Sequence, residues 1–106
     1  AGWLTTEELV WDASGRLRTH APSTYKIPAM SDRPREFNVS LWDRGNLKPT
    51  IYRSKAVGEP PFMLGISVWL ALSNAISQCG SYYPHLDAPA TPEQVLAAIE
   101  RAKHGL

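Results

Sequence analysis

Hydrophobic and polar positions follow three regimes along the chain. Between Glu8 and Thr19, the short runs Leu9-Val10-Trp11 and Arg16-Leu17-Arg18-Thr19 flank Asp12-Ala13-Ser14-Gly15. Asp opening a turn and Gly closing it with positive φ predict a β-hairpin with one wet face. Pro22, Pro28 and Pro34 then break all periodicity between His20 and Pro34, which predicts a long loop of the kind that tends to carry function. Phe37, Val39 and Leu41 alternate with polar residues from Glu36 to Trp42, the pattern of a half-buried strand. Thr50-Ile51-Tyr52 allows one more short extended piece.

The second half is helical in pattern. From about Phe62 to Cys79 the chain is apolar nearly all round in its first part (Phe62, Met63, Leu64, Ile66, Val68, Trp69), which predicts a helix buried on most sides. Gly80 is placed to stop it. In Thr91-Pro92-Glu93-Gln94 an N-cap hydroxyl precedes a first-turn proline, with Gln three residues after the cap. Val95, Ala98, Ile99 and Ala102 form the inward stripe of that last helix; Lys103 and His104 suit the dipole at its end, and Gly105 closes it. The expected fold class is therefore α+β: a hairpin and one or two further strands, packed with a buried helix and a C-terminal amphipathic helix, as one domain over residues 1–106.

Composition narrows the functions. Of 106 residues, 43% are hydrophobic and 20% charged, an ordinary globular balance. Eleven basic against ten acidic side chains leave a net charge of +1, with no overall field to draw nucleic acid or anionic lipid. The single cysteine, Cys79, excludes an internal disulfide and any multi-cysteine metal site, and is expected to be a small buried hydrophobe. The apolar stretch Pro60–Leu72 is shorter than the ~20 residues of a membrane span. Four tryptophans without an accompanying basic strip suggest burial rather than base stacking. No leader-like segment opens the chain, and Ala1 stands where an initiator Met would, so the chain is expected to be cut from something longer.

The chemistry concentrates in Ser54-Lys55-Ala56-Val57-Gly58-Glu59-Pro60-Pro61. Pro60 and Pro61 stiffen the start of a helix, Gly58 permits close approach, and Glu59 is held on that elbow at the helix N-terminus. A carboxylate so placed is either a general base or anion holder, or simply an acid favoured there by the helix dipole. His85 and Asp87 sit in a Tyr- and Pro-containing loop that reads as solvated, and Gly58 and Gly65 match no phosphate-cradling spacing.

That segment resembles the signature of the molybdenum-binding subunit in the xanthine oxidase and aldehyde oxidase family, nearest to its xanthine dehydrogenase branch. The likeness extends in order through Gly2–Leu9, Pro22–Pro28, Ile51-Tyr52, the Ile66-Ser67-Val68 run and Ala88–Glu93. It departs at Ala21, where the family pattern has glycine, and is weak between Cys79 and Ala88. The resemblance implies a C-terminal fragment of a molybdopterin-binding domain. Its parent would hydroxylate a purine such as hypoxanthine or xanthine with water as oxygen source. Glu59 matches the family's general base, and Ala56, Val57 and Gly58 match the loop beside the molybdenum centre. Electrons would leave through iron–sulfur clusters to FAD and NAD on other domains or subunits, in a cytoplasmic enzyme. An aldehyde oxidase-type parent and a non-catalytic α+β interaction module are the alternatives. The isolated chain is expected to hold no cofactor, to be inactive and to self-associate, with neither nucleic acid nor membrane as partner.

Overall fold

The computed structural model describes all 106 residues, and it is helical rather than α+β. Two helices, α1 (Glu59–Ser77) and α2 (Pro92–His104), are joined to single 3-10 turns at Gly2–Leu4, Met30–Asp32 and Ile51–Arg53. There is no sheet. The one β-bridge pairs Trp11 with Leu17.

The expected hairpin survives as its turn and one antiparallel bridge, closed by the Arg18 N–H donating to the Val10 carbonyl at 2.8 Å. Gly15 (φ 79°) donates its N–H to the Asp12 carbonyl at 2.9 Å, and Asp12 Oδ1 accepts from Ser14 Oγ (2.6 Å), Ser14 N and Arg16 N (both 3.0 Å). Turn chemistry is local and forms; the ladder beyond it needs neighbouring strands. Residues 34–49, which include the expected strand at Glu36–Trp42, make no backbone–backbone hydrogen bond. Phe37, Val39 and Leu41 are 60%, 74% and 94% exposed. Their alternation describes a face with nothing in this chain to cover it. Thr50-Ile51-Tyr52 leads into a 3-10 turn instead of a strand, with Tyr52 and Arg53 at φ 50° and 55°.

The ordered core lies between the helices. Ile76, Leu86, Ala90, Ala98 and Ala102 form it, with Trp69, Leu72, Val95 and Ile99 packed against them. The α2 signals act as expected: Thr91 Oγ1 accepts from Gln94 N at 3.3 Å, and Gly105 takes the left-handed conformation at the C-cap. Arg101 pins the preceding loop, donating to the carbonyls of Pro84 (3.1 Å) and His85 (2.9 Å). The N-terminal turn docks on α1 and is tied to the start of α2 by Ala90 N–H to Leu4 O, 2.7 Å.

Helix α1 begins three residues earlier than the pattern predicts, because Pro60 and Pro61 occupy first-turn positions whose N–H groups have no intrahelical acceptor. It is not a buried helix: only Gly65 and Ile76 are buried, while Phe62, Met63, Leu64 and Leu70 are all more than half exposed. By length and composition alone it could cross a bilayer. Cys79 is exposed, correcting its expected burial.

The helix ends at Ser77, before Gly80, whose role differs from the one expected. A Cβ at Gly80 would overlap the Ala102 carbonyl, where the chain crosses α2 at its closest. Backbone cannot yield as a flexible side chain does. Gly80→Ala is expected to destabilise the α1–α2 unit by about 1–3 kcal/mol, measured as a lowered thermal midpoint in the intact parent protein; an unchanged midpoint would refute the contact.

A pH effect follows from the turn. The Asp12 carboxyl is held below its ordinary value, chiefly by the Ser14 hydroxyl and then by the Arg16 N–H, against a small opposing effect of burial. Because the folded value is depressed, the turn's stabilisation is present above the ordinary aspartate pKa of ~3.9 and disappears as pH falls through the folded value. The Ser14 and Arg16 amide resonances should hold steady from pH 7 to 5 and move below about pH 4. Flat resonances down to pH 2 would contradict it.

Candidate active site

Glu59 is the first residue of α1, preceded by Gly58 in right-handed helical geometry. Its side chain is exposed and takes part in none of the three ion pairs of the chain. Placing an acid there is favourable with the dipole, and the two prolines fix its direction. Ala56, Val57 and Gly58 are exposed in the irregular approach to the helix, with Val57 74% exposed. The four residues are consecutive in the chain and all exposed, forming one edge.

Gly58 is informative because nothing within the chain requires a glycine. Its φ of −63° suits any residue, and a Cβ there would meet no atom within 4 Å. A glycine in this situation leaves room for something from outside. Beside it, Val57, Gly58, Pro61, Phe62 and Gly65 line an open hollow of about 430 Å³ with Ala1 and Trp3. Trp3 closes one side, edge-on to Phe62 with ring centroids 5.1 Å apart. The hollow offers a large planar group one apolar wall and a backbone edge free of side-chain obstruction; Glu59, next to Gly58 in the chain, lies outside its lining. These residues supply no metal ligand set, since no three His, Cys, Asp or Glu side chains converge.

Two features escaped the sequence reading. Consecutive left-handed residues, Tyr52 and Arg53, precede the segment, a conformation costing of order 1–3 kcal/mol each. Hydrogen bonds from Arg53 N to Thr50 O (2.9 Å) and Ser54 Oγ to Ile51 O (2.7 Å) hold it. No glycine or asparagine marks the spot. The proline-rich loop is also fastened down: Tyr25 O–H donates to Glu7 Oε2 at 2.6 Å, and Thr6 Oγ1 donates to Lys26 O at 2.7 Å. That bond to Glu7, then burial and the carboxylate's charge, push the Tyr25 phenol above its ordinary value. His85 and Asp87 stay outside the edge; His85 (φ 46°) lies edge-on to Tyr83 at 4.8 Å.

Comparison with known proteins gives the chain its family. Residues 1–34 match the family described as a molybdopterin cofactor-binding domain. The chain is 44% identical over 102 residues to the xanthine dehydrogenase/oxidase of Felis catus, covering 89% of this chain and 8% of that protein. It is 44% identical over 110 residues to the xanthine dehydrogenase of Oryza sativa subsp. japonica, covering 92% and 8%. With the xanthine dehydrogenase/oxidase of Gallus gallus it shares 46% over 99 residues, covering 89% and 7%. About a tenth of the chain lies outside such matches, so the central segment Ser54–Pro61 falls within them.

The class is therefore a molybdopterin cofactor-binding region, of which this chain is a piece. The chain belongs to the xanthine dehydrogenase/oxidase family, spanning about 8% of the length of the relatives it matches.

Proposed function

We propose that this chain supplies the general base of a molybdenum hydroxylase that oxidises purines, hypoxanthine or xanthine, with water as the oxygen source. When bound, the molybdopterin-held molybdenum supplies activated water and takes up the substrate's electrons. Ala56, Val57 and Gly58 lie against it as backbone. Glu59 accepts the proton of the water-derived nucleophile at its carboxylate, held towards it by the rigid Pro60-Pro61 elbow. The positive end of the helix dipole lies at this N-terminus, where a carboxylate is favourably placed.

One observation carries the reading: an unpaired glutamate beside a glycine that the chain itself does not need. The same placement would serve an aldehyde-oxidising relative, since substrate choice depends on residues outside this chain. Upstream molybdenum-binding segments, an iron–sulfur and FAD-bearing domain or subunit and NAD complete the proposed cytoplasmic parent. Turnover and molybdenum content of Glu59→Gln in that intact parent test the assignment.

A further inference from the structure

One of the four tryptophans departs from the sequence expectation. Trp42, read in sequence as lacking any basic strip, stands in a cleft of about 630 Å³ whose charged lining is Arg44, Lys48, Arg53 and Lys55. No carboxylate lines it; Asp43, next to Trp42 in sequence, is outside its wall. The three ion pairs of the chain all lie elsewhere. A cleft of that volume is roughly 9 Å across, comparable to the ~8 Å Debye length at physiological ionic strength, so the cations feel one another. Clustering four of eleven basic residues without a counter-charge is unfavourable unless an anion answers it.

The loop is also shaped to hold them. Asn46 closes it, donating from Nδ2 to Thr50 Oγ1 at 3.0 Å and accepting at Oδ1 from Lys48 N at 3.1 Å. The Arg44 guanidinium is parked over the Trp42 ring, 5.6 Å from its centroid. Arg53 reaches the cleft through the left-handed turn at Tyr52–Arg53. Two arginines give planar, bidentate donors and two lysines give point charges, the combination that suits tetrahedral phosphoryl oxygens better than a single flat carboxylate.

We propose that this cleft binds a phosphate or pyrophosphate group of a small molecule, at a site separate from the Glu59 edge. Isothermal titration of the intact parent protein with inorganic pyrophosphate tests it, the readout being the difference between wild type and variants. A saturable component should weaken about tenfold in Lys48→Gln and about a hundredfold in Arg44→Gln/Lys48→Gln, as for loss of charged hydrogen bonds. Lys48→Arg should restore it, and added salt should weaken it. Both substituted side chains, Arg44 and Lys48, are exposed, so folding is not at issue. Absence of any component sensitive to these substitutions overturns the site. So does equal binding of poly-aspartate, which would mark the cleft as a seat for an acidic peptide. Binding is read without turnover, so this outcome is independent of Glu59.

Discussion

Glu59→Gln in the intact parent enzyme is expected to lower turnover at least a hundredfold, the lower end of the ~10²–10⁴ that a positioned general base contributes. Size and polarity are kept and only the proton acceptor is lost. Within this chain Glu59 is exposed and forms no ion pair, so its replacement disturbs no packing that the chain provides. Molybdenum content and thermal stability should therefore stay close to wild type. If Glu59 were only an acid satisfying the helix dipole, Gln would cost a few tenths to about 1 kcal/mol of local stability and little rate. The small dipole cost applies under both readings, so it is the rate that separates them. Measuring turnover with a purine and with an aldehyde covers both substrate classes. A variant keeping more than about a tenth of wild-type rate with either, at normal molybdenum content, lies outside the range of such a base and defeats the assignment.

What the sequence could announce depended on how far each interaction reaches. The α2 boundaries were legible because Thr91, Pro92, Gln94 and Gly105 act within a turn of themselves. So was the Asp12–Gly15 turn, whose hydrogen bonds span at most four residues. The residues Ala56–Glu59 form one edge simply because they are consecutive. Glu36–Trp42 was not legible, since a strand exists only through a partner, and alternation records the face without naming what meets it. Gly80 was misread as a helix stop because its constraint comes from Ala102, across the fold. The basic cleft stayed hidden although Arg44, Lys48, Arg53 and Lys55 lie in one short run, because the left-handed turn at Tyr52–Arg53 that brings them to one cleft has no glycine or asparagine to mark it.

The same incompleteness predicts how the isolated chain behaves. Its accessible surface is 9108 Å², against roughly 5,900 Å² for a compact monomer of this mass. Its radius of gyration is 18.1 Å, where about 13 Å is usual at this length. It makes 46 backbone hydrogen bonds where about 70 would be ordinary, and the Trp69 indole N–H is buried without an acceptor. The excess surface, roughly 3,200 Å², is larger than a standard protein–protein interface buries in total. Much of it is apolar: Phe62, Met63, Leu64 and Leu70 on α1, and Phe37, Val39, Leu41 and Trp42 on the unpaired segment. Covering each such side chain is worth about 1.5–3 kcal/mol, and patches of this extent are rare on soluble monomers. In the parent, neighbouring segments would do the covering. Without them, a second copy offering the same face is the available substitute, most simply as a two-fold pair. Purified residues 1–106 should therefore sediment as dimers or larger species at micromolar concentration and bind a hydrophobic dye. Replacing Leu64 and Leu70 with glutamate, exposed positions outside the α1–α2 core, should shift the population towards monomer. A wild-type chain that sediments as a monomer without binding the dye would show that these faces close on one another, and that the exposed strand-like segment and α1 need no partner.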